Sequence, residues 1–167
     1  MPGEVKLPYF FFCERSRFDP GIFAIIFSMD AFLTVGAWQT LRAVKSTALR
    51  KNVAGLLLGH KRGGRFFVEK AFPVPQGFKP SFKNLDVLDA IFEGKIIGFF
   101  HFNPGEKDER KYLQPFACGK LFLAIDSLSS GSSILIGYVI DYDGQYELEL
   151  IPVILEKFSP KKGQAPS

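Results

Sequence analysis

Apolar and polar positions segregate along this chain into short runs, punctuated by Gly, Pro and charged clusters, and the spacing of the runs predicts strands mixed with helices. The continuous apolar run Ile22–Phe27 predicts a buried strand. Ser28 or Asp30 then caps a helix over about residues 29–49. Phe32, Val35, Leu41 and Val44 recur there at a rough helical period, and Arg42, Lys45 and Arg50 form a polar face toward the carboxyl end. Val53–His60 predicts a second strand, Gly63–Gly64 a tight turn, and Arg65–Phe72 the returning strand. A loop over Pro73–Pro80 leads to a short amphipathic helix over Asn84–Phe92, with Leu85, Leu88, Ile91 and Phe92 on its apolar side. Lys95–His101 is the next strand. A charged loop over Asn103–Arg110, a short helical stretch over Lys111–Ala117 disturbed by Pro115, and a strand over Lys120–Ile125 follow. Ser132–Asp141 and Gln145–Leu155 pair as a final hairpin around Tyr142–Asp143–Gly144.

Local hairpins interleaved with helices place the chain in the α+β class, as an α-β-α sandwich around a mostly antiparallel sheet. Residues 1–20 are irregular and carry the aromatic run Tyr9–Phe12, so they form an arm that packs on the domain or on a partner, a route to self-association. Residues 21–158 make one domain, and residues 159–167, rich in Pro, Lys and Gly, a disordered tail.

Composition changes this picture in few places. The 167 residues are 47% hydrophobic and include 19 Phe, enough to fill a core without metals or disulfides. The net charge of +4 is spread over scattered Lys and Arg with no basic stripe, which argues against a nucleic-acid partner. The apolar stretch Gly21–Gln39 contains Asp30 and two Gly, which argues against a membrane span. Cys13 and Cys118 show no metal or redox spacing. They suit free thiols in a cytoplasmic protein, with a long-range pairing left open.

The stretch with chemical interest is Gly94–Pro104, GKIIGFFHFNP. An apolar strand runs straight into a polar turn, and strand alternation sets His101 and Asn103 on one face at its carboxyl end. A His and a second polar group on one face, followed by Pro, is how a metal site begins at the mouth of a sheet. Asp108 lies in the loop beyond. Asp141 and Asp143 have the look of calcium ligands, but a hairpin turn accounts for them.

Two segments, NVAGLLLGHKRGGRFFVEKAFPVP and IIGFFHFNP, followed by a polar loop and LFLAID, resemble the JAB/MPN (JAMM) family of metal-dependent isopeptidases over about residues 22–155. The resemblance implies a curved central sheet between helices and, in active members, a zinc held by His-x-His-Pro and a distal Asp, with a Glu as general base. Carried onto this chain, the first His is His101 and the second position holds Asn103. The Glu position holds Asn52, and the Asp position falls at Gln114. His60 sits eight residues from Asn52, too far along a strand to reach the site. The resemblance therefore implies an inactive member, a scaffold without cofactor that pairs with itself, with another protein or with a ubiquitin-like protein. The alternative it implies is a zinc-dependent isopeptidase with an altered site, His101, Asn103 and Asp108 being the residual metal candidates.

Overall fold

The computed structural model describes residues 29–47, 53–75, 80–127, 133–144 and 146–157. Seven strands among them close into a barrel: β1 (Asp30–Leu33), β2 (Ala54–Arg62), β3 (Arg65–Pro73), β4 (Ile96–Phe102), β5 (Leu121–Ser127), β6 (Ser133–Tyr142) and β7 (Leu148–Lys157). The order around the barrel is β1-β3-β2-β4-β5-β6-β7, with β7 returning to β1. β1 runs parallel to both of its neighbours, and β4 runs parallel to β5. The other neighbouring pairs are antiparallel.

This closed mixed barrel replaces the α-β-α sandwich expected from the sequence, and with it the JAB/MPN architecture that the motifs suggested. The physical reason lies in Asp30–Leu33. Their position after Ser28 suits the first turn of a helix, yet they alternate, with Ala31 and Leu33 buried and Asp30 and Phe32 half-buried. Four residues of period two make the strand that joins β3 to β7. Without it the sheet would end in two open edges; with it, the edge N–H and C=O groups find partners.

The first helix, α1 (Val35–Thr47), accordingly starts later than expected. Asp30 lies in β1 and does not cap it, and Ser28 lies outside the described residues. Thr34 caps it, its Oγ1 accepting from Ala37 N–H at 3.2 Å while donating to the Glu69 carbonyl at 3.0 Å. One hydroxyl thus terminates the helix and pins it to β3. The expected strand over residues 22–27, the aromatic arm and the tail lie outside the described residues.

Alternation along the strands sorts the core into two layers. Leu57, Phe66, Val68, Phe100, Phe102, Leu121, Leu123, Ile125 and Val139 fill the inside together with Ala31 and Leu33. Leu56, Leu58, Ile96, Phe99, Phe122, Ala124 and Ile140 face outward beneath α2 (Phe82–Ile91) and Tyr112. Strand β4 is buried at every position because it is covered on both faces. Ser81 caps α2 by accepting from Asn84 N–H at 3.2 Å. The expected charged loop contains α3 (Glu106–Arg110), and Pro115–Ala117 makes one 3-10 turn. Gly98 has no room for a side chain, since a Cβ there would strike the Leu121 carbonyl. That contact lets β4 and β5 approach. Among the described residues no helix is long and apolar enough to cross a membrane.

Candidate functional site

His101 is 6% exposed and lies on the outer face of β4, registered between Ala54 of β2 and Ala124 of β5. Tyr112 sits edge-on to its ring at 6.4 Å between centroids. Its Nδ1 is 3.0 Å from the Phe102 carbonyl. A carbonyl only accepts, so Nδ1 carries the proton and Nε2 keeps a lone pair. Burial pushes the imidazole pKa below its ordinary value of 6.5; the Phe102 carbonyl and Asp108 oppose the shift, and Lys111 adds to it. His101 is therefore a neutral side chain at pH 7.

The neighbours expected to complete a metal site are engaged elsewhere. Asn103 turns through a left-handed φ of 47°. Its N–H donates to the Ile125 carbonyl at 2.9 Å, and its Oδ1 accepts from Ser127 N–H at 2.7 Å. It fastens β4 to β5. Asp108 accepts from Lys111 Nζ at 2.7 Å and from Gly105 N–H at 3.2 Å. The Lys111 bond is the main reason its carboxyl pKa is lowered. Gln114 is exposed and precedes the 3-10 turn, where its carbonyl accepts from Ala117 N–H at 2.9 Å. Asn52 lies outside the described residues. His60 stacks on Phe67 at 4.9 Å and pairs with Glu69 at 2.8 Å, far down β2 from Ala54, the residue opposite His101.

The structure thus brings His101 and Asp108 into electrostatic range and leaves Asn103 and Gln114 in backbone roles. Among the described residues no group of three or more His, Cys, Asp or Glu could hold a metal ion. The closed barrel is inconsistent with the JAMM-type architecture implied by the resemblance, either as an active centre or as the scaffold derived from it.

Cys118 is exposed, with its Sγ 3.7 Å from Asp141. Burial and the Asp141 carboxylate push its thiol pKa up, the opposite of an activated nucleophile. Cys13 lies outside the described residues.

Two other places were not singled out by sequence reasoning. The first is the outer flank of α2. Ile91, expected on the apolar buried side, is 66% exposed, and Val87, one turn earlier, is 57% exposed. Leu85, expected on the same side, is buried as expected. Phe92 follows Ile91 and packs edge-on against Phe72 of β3 at 5.3 Å, and Phe72 is itself 47% exposed. Val87, Ile91, Phe92 and Phe72 form an apolar strip at the surface. The i, i+4 spacing of Val87 and Ile91 was visible in the sequence; which stripe of the helix faced the barrel was not.

The second place is on the other flank of α2. Leu85, Asp86, Asp89, Ile96, Phe116 and Lys120 line a cavity of about 140 Å³. Residues from four separate stretches meet there, and nothing in their local sequence joins them.

No known protein family matches this chain. No curated protein matches it either. Among solved structures, the solution structure of protein DSY2949 from Desulfitobacterium hafniense is similar, with a TM-score of 0.55 and 20% identity over 81% of this chain and 99% of that one. At that identity the likeness shows a shared fold.

Proposed function

We propose that this barrel is a protein-assembly domain that pairs with a second copy of itself through α2. The apolar strip of Val87, Ile91, Phe92 and Phe72 carries the reading. Exposed apolar side chains grouped on one side of the surface, here Val87 and Ile91 one turn apart on α2 and Phe72 packed on the half-buried Phe92, mark an interaction surface, whereas isolated ones do not. The second copy follows from the charges at the two ends of the helix. Lys83 stands at the amino end of the strip and Glu93 just past the carboxyl end. A twofold axis across α2 runs the two helices antiparallel and sets each Lys83 against the Glu93 of the other copy. Glu93 pairs with Lys95 of its own chain at 3.4 Å in an exposed turn, a contact weak enough to exchange.

The chemistry at the end of β4 supports binding over catalysis. His101 is covered and neutral, Asp108 is held by Lys111, and Asn103 is committed to the backbone. The exposed Cys118 thiol suits a reducing, cytoplasmic setting.

Sedimentation equilibrium tests the proposal. The wild type is expected as a reversible dimer. Ile91→Asp is expected to weaken association by about 100-fold, the scale of a hot-spot loss, with an unchanged circular dichroism spectrum. Lys83→Glu weakens pairing, and adding Glu93→Lys restores it. A wild type that stays monomeric at every concentration, or an undiminished dimer in Ile91→Asp, overturns the proposal.

A further inference from the structure

The cavity beside α2 holds two opposite charges that do not meet. Lys120 Nζ donates to the Ile96 carbonyl at 2.9 Å, and Asp89 Oδ1 accepts from the Ile96 N–H at 3.4 Å. Both side chains are thus anchored to the peptide groups of one residue, and among the described residues they form no ion pair with each other. Two unlike charges side by side normally close together. Here the backbone of Ile96 holds them apart, and the cavity of about 140 Å³ lies alongside.

Each charge has capacity left over. An ammonium has three donors, and the Ile96 carbonyl takes one. Asp89 keeps its second oxygen, and exposed Asp86 adds another carboxylate from the preceding turn of α2. Burial pushes the Lys120 pKa down while Asp89 pushes it back up, so the carboxylate favours the charged amine. The remaining walls, Leu85, Ile96 and Phe116, are apolar.

We infer that this cavity binds a small zwitterion of the α-amino-acid class with a short aliphatic side chain. Its carboxylate meets Lys120, its ammonium meets Asp89 and Asp86, and its side chain lies against Leu85, Ile96 and Phe116. The charge pattern selects against simpler ligands. An anion alone faces two carboxylates, a cation alone faces the Lys120 ammonium, and an uncharged molecule desolvates both charges without bringing an opposite charge to either. Size agrees: a cavity of about 150 Å³ holds a six-carbon ring, so a leucine-sized side chain fits. Charges fixed in advance by Ile96 lower the cost of ordering on binding. The site is on the opposite flank of α2 from the apolar strip and does not depend on self-association.

Titration of the full-length protein with L-leucine, followed by the amide NMR shifts of Ile96 and Lys120, tests the inference. Saturable shifts at both amides are expected. 4-Methylpentanoate, which lacks the amine, and 3-methylbutylamine, which lacks the carboxylate, are each expected to bind at least about tenfold more weakly. Lys120→Met is expected to abolish the leucine shifts. Asp86→Asn, at an exposed position, is expected to weaken them. Absence of saturable shifts with L-leucine overturns the inference. So does an amine that binds as tightly as leucine, which would make the cavity a plain cation site. Undiminished leucine binding in both Lys120→Met and Asp86→Asn overturns it as well.

Discussion

Asn103 accepts a hydrogen bond from the main chain of Ser127 at 2.7 Å, clasping the carboxyl ends of the parallel strands β4 and β5. The clasp needs a residue that tolerates a φ of 47° and also carries an acceptor, and Asn is one of the few that meets both demands. Asn103→Ala loses the hydrogen bond and adds left-handed strain, and is expected to cost about 1–3 kcal/mol. Asn103→Asp keeps the acceptor and is expected to stay close to wild type at pH 7. Urea unfolding of the two variants separates the outcomes. Equal losses in both would assign the effect to the side-chain amide group rather than to the Oδ1 acceptor or to backbone strain.

His101 makes stability depend on pH. Burial holds its folded pKa below the ordinary 6.5, so at acid pH the unfolded chain takes up the proton first. The stabilisation from the neutral ring is complete above pH 6.5, the unfolded value. It falls as the pH drops below that value and stops changing once the folded pKa has been passed. His101→Leu is expected to flatten the stability profile between pH 7 and the folded pKa, whatever it does to stability at pH 7. Denaturant midpoints across that range check this; an unaltered slope in the variant would place the acid sensitivity elsewhere.

Thr34 couples the first helix to the barrel through a single hydroxyl, accepting from Ala37 N–H and donating to the Glu69 carbonyl. Thr34→Ala removes both bonds and is expected to cost about 0.5–2 kcal/mol, while Thr34→Ser, which retains the hydroxyl, costs less. Hydrogen exchange at Ala37 and Trp38 locates the loss. Faster exchange in Thr34→Ala but not in Thr34→Ser is the expected pattern.

What could be determined from the sequence was set by short-range physics. The turn at Gly63–Gly64, with Gly63 at a positive φ of 59°, produced the β2–β3 hairpin as expected. The apolar runs before His101 and around Leu121–Ile125 are buried strands because apolar side chains on both faces require cover. The β6–β7 hairpin and helix α2 formed near their expected positions for the same local reasons.

Closure of the barrel was decided by tertiary structure. Asp30–Leu33 is too short for its alternation to stand out from a helical period, and its partners are Arg65–Val68 and Ile154–Lys157, far away in the chain. The same is true of function. His101 and Asn103 share a face at a strand end, as the sequence implied, but a site depends on what its atoms are free to do. The Phe102 carbonyl and Ser127 N–H, supplied by the folded backbone, committed them to structure. Packing likewise chose which stripe of α2 to bury, leaving Val87 and Ile91 outside, and gathered Asp89, Ile96 and Lys120 around one cavity. Local sequence specified the strands and turns; long-range pairing and packing decided which of their side chains remained available to another molecule.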